Sequence, residues 1–386
     1  MPSESGEHIN KKPFSVLPEQ TVCEKMIVEI IQIVAYSCWS MFMFWTLLAI
    51  LILFHKPKKS MTRAANVEIV IVSIANSNVR NSLKETILSI EKLGLKSYLL
   101  VDEEAELIPE LPKENLIVVP RSYKPFLIAK GRAMNYFVEN HAQGDRWYGF
   151  VDDDNLVLDD AFLYEIPYYE ERGYVAMNAF LKMRKGRSTL AFVMDSIRVF
   201  EELATFKFFT GIVGKPYAGL HGELLCVKGE TLKEIGYDHR TITEDFRFSC
   251  DLVKRGCKTW QSKTRVSLKS PNNLRDLMRQ RARWFRGIIL DLRHAATLMK
   301  LIMGARVVFW ALGFFGSWAF AFLWPFWGAF WPAIPSGIAY WLLYSYGVAK
   351  SSKWEYFLLI PLFGVLEGLS LLHTFKQKGF VVIDKR

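Results

Sequence analysis

Trp147-Tyr-Gly-Phe-Val-Asp-Asp-Asp154 decides the fold: five apolar or small residues run straight into three adjacent carboxylates. A short apolar run broken by polar residues reads as a buried strand, and the break marks the end where the chain leaves the sheet. Working outward, Val67-Glu-Ile-Val-Ile-Val-Ser73 is a second β-branched run, followed by a helical pattern from Ser82 to Leu93 that Gly94 ends. Ser97 to Val101 and Leu116 to Val119 read as further strands, and Lys130 to Glu139 as a helix. Strands alternating with helices over short links predict an α/β fold with a mostly parallel sheet, whose ligands bind beyond the carboxyl ends of the strands. Asp102 and the Asp152 cluster both stand at such ends. The sequence contains no internal repeat and no glycine-rich phosphate loop.

Outside this region the chain is strongly apolar. Of 386 residues, 51% are hydrophobic, 14% aromatic and 23% charged, which excludes a disordered or collagen-like chain. Five widely spaced cysteines without a C-x-x-C pair exclude a disulfide scaffold and a structural zinc site. Ile31 to Phe54 is 24 residues without a charge, long enough to cross a hydrocarbon core of roughly 30 Å. It lies too far from the terminus for a secretory signal. Lys56, Lys58 and Lys59 follow it, which predicts a cytosolic C-terminal flank. The expected organisation is a non-cytosolic tail over 1–25, an anchor over 26–54 and a cytosolic domain over 60–285. An amphipathic interfacial helix is expected over 286–304, a membrane region over 306–373 and a tail over 374–386. Val307 to Ala349 accommodates two spans, or one span and an interfacial piece. Tyr356 to Leu372 is a further candidate that carries Glu367. Two or three C-terminal spans fit, and the side of the C-terminus depends on that number.

The net charge of +10 is localised: Lys254 to Arg306 holds fourteen Lys or Arg against Asp276 and Asp291, a local +12, so the remainder sums to −2. Nucleic acid, anionic lipid or a phosphorylated substrate would each suit such a stretch.

Four clusters carry candidate chemistry. Asp152, Asp153 and Asp154 repel one another and need a cation or a strongly polar setting to remain ionised together. Asp152 and Asp154 project to one side of the strand end and suit Mg²⁺ or Mn²⁺ bridging to a diphosphate; the alternative is a solvated turn. Thr243-Glu244-Asp245 precedes a helical pattern over Phe246 to Arg255 and offers either a helix cap or a general base. In Gln280-Arg-Ala-Arg-Trp284, residues Gln280, Arg283 and Trp284 share a helix face, a guanidinium fork for phosphate beside a stacking platform. A basic helix lying on anionic lipid is the competing reading of that stretch. Lys130 and Arg132 open a helix whose N-terminus favours anions. Asp102 suits a bond to a base or ribose, or a turn cap.

In this order, between apolar segments, these motifs resemble the membrane-bound family-2 glycosyltransferases of GT-A type. The egghead-like β-1,4-mannosyltransferases are the more similar, the cellulose and hyaluronan synthases the more distant. The resemblance runs from Val67 to about Ile289 and rests also on Val119-Pro-Arg-Ser-Tyr-Lys124, Lys130-Gly-Arg-Ala133, Asp195-Ser-Ile-Arg198 and Gly214-Lys-Pro216. It implies a Rossmann-like nucleotide-sugar domain with flanking transmembrane and interfacial helices. Ser73, Asp102, Lys130, Arg132, Asp152 and Asp153 would then contact the nucleotide-sugar, and Asp154 with Asp152 would hold Mn²⁺ or Mg²⁺. Asp245, with Glu244 beside it, would deprotonate the acceptor, while Gln280, Arg283 and Trp284 frame acceptor and diphosphate. Two positions depart from the pattern: the first strand ends Ser73-Ile-Ala-Asn76 where Thr-Arg is expected, and the acidic motif is Asp-Asp-Asp. The tail Lys378-Gly-Phe-Val-Val-Ile-Asp-Lys385 resembles a gating segment of cellulose synthase.

The function so implied is inverting transfer of a hexose to a lipid-linked or glycolipid acceptor at a membrane. GDP-mannose is the first donor and a UDP-sugar the second. The expected protein is integral and multi-pass, with a cytosolic catalytic domain and no nucleic-acid partner. The alternatives are a processive polysaccharide synthase and a non-catalytic basic membrane scaffold.

Overall fold

A computed structural model describes residues 22–199, 202–307, 338, 342, 344–349 and 354–375. The expectations for residues 1–21, for most of Val307–Ala349 and for the Lys378–Lys385 tail lie outside the described residues.

Eight strands form one sheet: β1 (Val67–Ser73), β2 (Lys96–Asp102), β3 (Leu116–Val119), β4 (Trp147–Asp152), β5 (Asn155–Val157), β6 (Tyr174–Arg184), β7 (Leu225–Lys228) and β8 (Lys258–Lys269). Their order is β3-β2-β1-β4-β7-β6-β8-β5. The first four are mutually parallel, as the strand-helix alternation predicts. β7 runs antiparallel between β4 and β6, β8 is parallel to β6, and β5 is an antiparallel edge. Every residue of β1 is buried, the state expected of a parallel strand covered on both faces. Registers pair Val72 with Asp152, Ser73 with Val101 and Asp102 with Val119, so the ends of β1, β2 and β4 reach one edge together.

The helices over the sheet are α2 (Arg80–Glu91), α3 (Ala129–Asn140), α4 (Ala161–Glu170), α5 (Thr189–Ile197), α6 (Gly229–Ile235) and α7 (Glu244–Lys254). α2 starts two residues before the expected Ser82, because Asn76 accepts from the Asn78 N–H and opens a 3-10 turn there.

A third group departs from ordinary soluble packing. α1 (Val22–Leu53) is long and apolar enough to cross a membrane. Trp39, Trp45, Leu48, Ala49 and Ile52 are buried, while Phe44, Leu47, Ile50 and Leu51 are exposed. Its buried side lies against the π-helical stretch Glu202–Lys207, and Trp45 meets Phe209 edge-on at 6.4 Å. α8 (Leu274–Asp291), α9 (Thr297–Ala305) and α10 (Ile360–Thr374) complete the group, and α8 packs closely along α10.

The stretch expected as one interfacial helix over 286–304 differs in the structure. Residue 286 lies inside α8, which continues to Asp291, and a 3-10 turn over Leu292–His294 separates it from α9. The Asp291 carboxylate is the cause: it is buried and accepts from the hydroxyls of Thr241 and Thr243, drawing the end of α8 inward. The basic stretch is likewise more neutralised by partners than its charge suggests. Arg255, Arg265 and Arg279 pair with Glu234, Asp159 and Asp276, and Arg281 is buried between Asp195 and Glu367.

Candidate active site

The carboxyl ends of β1, β2 and β4, the N-terminal turns of α3 and α7, and one face of α8 enclose a cavity of about 730 Å³. Ser73, Asp102, Lys130, Arg132, Asp152, Asp153, Asp154, Glu244, Asp245, Gln280, Arg283 and Trp284 all line it. Residues from six separate motifs thus converge on one space.

Lys130 is the centre of this arrangement. Its ammonium lies 3.0 Å from Asp152 Oδ1 and 2.9 Å from Glu244 Oε1. Burial works against the charge, yet Asp152, Glu244, Asp245 and Glu223 together hold it well above the ordinary lysine range. The same burial raises Asp152, with Lys130 opposing and Glu223, Asp154 and Glu244 reinforcing the shift. Asp245 is pushed up to about 7 by burial and by Glu244 and Glu223, against Lys130 and the Phe246 N–H that it accepts. A carboxyl group placed so is suited to take a proton near neutral pH. Thr243 does not cap α7 with its side chain, which turns instead to Asp291.

The sheet edge is also tied down. Ser73 Oγ donates to Asp153 Oδ2 at 2.6 Å, which turns Asp153 toward β1 and distinguishes it from Asp154. Asp154 is 8% exposed, and its carbonyl accepts from Arg184. Arg132 bonds Asp102 at 2.5 Å, so this α3 cation meets the strand-end carboxylate. The left-handed backbone at Ala75, Ala129 and Leu224 adjoins cavity residues in each case, at φ 41°, 54° and 56°. Non-glycine residues adopt that region at a cost of roughly 1–2 kcal/mol, and such strain gathers where side chains must be aimed.

Two glycines permit the close approaches. A Cβ on Gly287 would collide with the Thr243 side chain, so α8 sits directly on the Thr243-Glu-Asp245 turn. A Cβ on Gly222 would lie 2.5 Å from the Lys130 ammonium, so the chain before β7 runs against the centre of the cavity.

That last segment is functional geometry the motifs did not reveal. His221 is buried between Glu202 and Glu223, 3.2 Å from each. Burial disfavours its cation, but the two carboxylates raise it to about 10. His221, Lys130 and Arg198 in turn hold Glu223, which lines the cavity, well below the ordinary carboxylate range despite its burial. The sequence signal is two ionisable residues, His221 and Glu223, set just before the apolar strand that starts at Leu225. Arg198 was visible only within the shared stretch Asp195-Ser-Ile-Arg198, without a role. Its guanidinium stacks on Trp284 at 4.3 Å, and Arg281 approaches the same ring at 4.8 Å.

For a divalent cation, the donors at the strand end are all carboxylate oxygens, the chemistry Mg²⁺ and Mn²⁺ prefer. Among the described residues no group of three or more His, Cys, Asp or Glu side chains is gathered for an ion. The set fits an ion bound by one or two carboxylates and completed by phosphate oxygens, the usual arrangement for these metals.

Fold and cavity together define a GT-A-like α/β architecture with a site at the carboxyl edge of its sheet. The chain belongs to the glycosyl transferase family group 2, whose model matches residues 149–363. It is 25% identical over 247 residues to the beta-1,4-mannosyltransferase bre-3 of Caenorhabditis elegans, covering 60% of this chain and 54% of that protein. It is 22% identical over 232 residues to the beta-1,4-mannosyltransferase egh of Drosophila melanogaster, covering 56% and 50%. The chain therefore spans about half the length of these curated relatives. Among solved structures, it shares its fold with the mannosyltransferase PcManGT from Pyrobaculum calidifontis in complex with GDP-Man and Mn²⁺. The TM-score is 0.56 at 14% identity, covering 91% of this chain and 99% of that one.

Proposed function

We propose that this protein is an inverting mannosyltransferase that moves mannose from GDP-mannose to a glycolipid or other membrane-proximal acceptor. The observation that carries the reading is the single cavity in which strand-end carboxylates, Lys130, Asp245 and the Gln280–Trp284 face meet. The mannosyl donor is favoured by the relatives' activity and by the GDP-Man bound in the structural neighbour. A UDP-sugar is the second donor to test.

In this mechanism Asp102, with Arg132 behind it, meets the base or ribose at the β2 end, and Ser73 with Asp153 lines the adjoining edge. Asp154 and Asp152 would hold Mn²⁺ or Mg²⁺, which when bound supplies positive charge to the diphosphate oxygens. Lys130 keeps Asp152 and Glu244 at fixed positions and balances the carboxylates around the reacting centre. Asp245 takes the proton of the acceptor hydroxyl as that oxygen attacks the anomeric carbon. Arg283 meets charge growing on the departing diphosphate, the place where preorganised charge lowers a barrier most. Trp284 supplies a flat apolar surface for a sugar ring. We further propose that α1 and α10 anchor the protein as an integral, multi-pass membrane enzyme with a cytosolic catalytic domain, since both present exposed apolar faces.

The test is turnover by the full chain in detergent, with labelled nucleotide sugars, Mn²⁺ and alkyl glycosides as acceptors. Transfer from GDP-mannose that chelation abolishes and Mn²⁺ restores is the expected result. No transfer from any nucleotide sugar, with or without Mn²⁺, overturns the reading. Product length separates single addition from polymer synthesis.

A further inference from the structure

Glu367 is a carboxylate in the apolar segment 354–375, and the mechanism above does not use it. The helix that carries it, α10, turns apolar residues outward and buries three polar ones, with only His373 polar on its exposed side among the described residues. Leu362, Val365, Leu369, Leu372 and Phe375 are exposed, whereas Glu367, Ser370 and Thr374 are buried beside Phe363 and Leu371. An apolar outside and a polar inside suit a helix that faces lipid and turns its ionisable group toward protein, where such a group marks function and has a partner. The partner is Arg281, with Nε 3.0 Å from Glu367 Oε1. Arg281 Nη2 donates to Asp195 on α5 at 2.7 Å, and all three side chains are almost fully buried. Two further bonds hold α10 to α8: Thr374 Oγ1 to the Ala282 carbonyl at 3.3 Å, and Arg286 Nη1 to the Thr374 carbonyl at 3.4 Å.

α8 therefore has two working faces. Gln280, Arg283 and Trp284 line the cavity. Arg281, Ala282 and Arg286 grip α10. The faces communicate at the Trp284 ring, over which the Arg281 guanidinium that Glu367 pairs with packs, together with Arg198, which also faces Asp195. Burying a cation between two carboxylates gains little stability over an apolar packing of similar volume, whereas removing one partner leaves a buried charge poorly compensated. Such a triad fixes position more than it adds stability.

We propose that Glu367 is a positioning residue for glycosyl transfer: with Asp195 it sets Arg281, and through Arg281 the Trp284 ring and the cavity face of α8. The apolar C-terminal helix is thereby part of the active-site wall. This rests on the transferase reading above.

The experiment uses the full chain in detergent with GDP-mannose, Mn²⁺ and dodecyl β-glucoside. Glu367→Gln is compared with Glu367→Asp and Glu367→Ala, each alone and in a Trp284→Leu background. In the single variants Glu367→Ala lowers kcat/KM for the acceptor about tenfold or more. Glu367→Gln falls short of that loss and Glu367→Asp recovers part of it. The KM for GDP-mannose and its stabilisation of the protein against heating remain as in the unmodified chain. In the Trp284→Leu background the Glu367 substitutions cost less than about twofold, because their route to the cavity is already cut. The proposal is overturned by unchanged kinetics of Glu367→Ala, by equal losses in both backgrounds, or by loss of GDP-mannose stabilisation together with transfer. Absence of transfer by the unmodified chain overturns the mannosyltransferase reading instead, and the positioning role with it.

Discussion

The cavity has two walls of different construction. The strand-end wall, Ser73, Asp102 and Asp152 to Asp154, is set by backbone ladders: Val72 opposite Asp152 and Ser73 opposite Val101. A one-residue slip would exchange the two buried faces of β1 and carry Ser73 away from its place beside the β4 carboxylates, so this register is strongly specified. The helical wall, Gln280, Arg283 and Trp284, has no ladder. It is placed by side chains: Gly287 against Thr243, Asp291 against Thr241, and Arg281 between Asp195 and Glu367. The difference teaches that the strand-end side of the cavity is set by the sheet, whereas its helical side depends on contacts between side chains, one of them from the apolar helix α10. Changes in the first wall are expected to act alike in any detergent, and changes in the second to vary with it.

The largest effect is expected where the walls meet. Asp245→Asn retains size and the bond from the Phe246 N–H but cannot accept a proton. Transfer should fall by about 10²–10⁴-fold, the usual contribution of a positioned base. Stabilisation by GDP-mannose in a melting experiment should persist. Near-normal transfer by this variant would show that the base lies elsewhere. Next comes Lys130→Met, which leaves Asp152, Glu244, Asp245 and Glu223 around a site without its cation. Breaking such a pair costs roughly 3–5 kcal/mol in a full interior. With a quarter of the Lys130 side chain exposed, the lower end is expected. A lowered melting temperature with loss of GDP-mannose stabilisation is the outcome to look for. An unchanged melting curve would refute the central role of Lys130.

A smaller and continuous effect follows from the raised Asp245 carboxyl, at about 7 in place of 3.8. The base must be ionised to act, so kcat/KM should fall nearly tenfold per pH unit below about 7 and level off above it. Stability runs the other way. Between about 4 and 7 the folded protein retains a proton that the unfolded chain has released, so stability declines as pH rises through that window and flattens beyond it. Asp245→Asn should remove this slope from melting curves measured without donor. A slope that survives the substitution belongs to another group.

The two walls also differ in how legible they are in the sequence. The strand-end wall is readable because an apolar run has to stop where the chain leaves the sheet, and Asp102 and Asp152 sit at those stops. The parallel order of β1 to β4 follows from the strand-helix alternation, with α2 between β1 and β2 and α3 between β3 and β4, although only a 3-10 turn joins β2 to β3. The second half of the sheet does not follow, because β7 enters antiparallel between β4 and β6 through pairings with no local sequence sign. The helical wall is readable as a motif but not as a position. The contact of Gly287 with Thr243 spans more than forty residues, and nothing local to either predicts it. Asp291 counts only as one of two acids in the basic stretch, and Glu367 as a charge within an apolar span, until their partners are seen across the fold. The +12 stretch misleads for the same reason: sequence shows its charge, but the neutralising Asp195, Asp159, Glu234 and Glu367 come from distant segments. His221 and Glu223 form a buried pair for which composition offers only a faint hint.

The smallest expected effect separates the walls most cleanly. Asp102 lies at the far end of the strand-end wall, half exposed, bonded to Arg132, whose side chain is largely buried. Asp102→Asn retains an oxygen for Arg132 and for a ribose hydroxyl, and it removes only a solvent-screened charge. An exposed ion pair of this kind is worth about 0–1 kcal/mol, so the KM for GDP-mannose should rise no more than about fivefold. Acceptor KM and kcat should stay fixed, because the bond that holds Asp102 is to Arg132 on α3, on the strand-end side of the cavity. The same modest rise should appear in every detergent, whereas Glu367→Gln should vary with the lipid or detergent that surrounds α10. If Asp102→Asn instead changes acceptor kinetics, or its effect depends on detergent, the two walls are mechanically one and their separation fails.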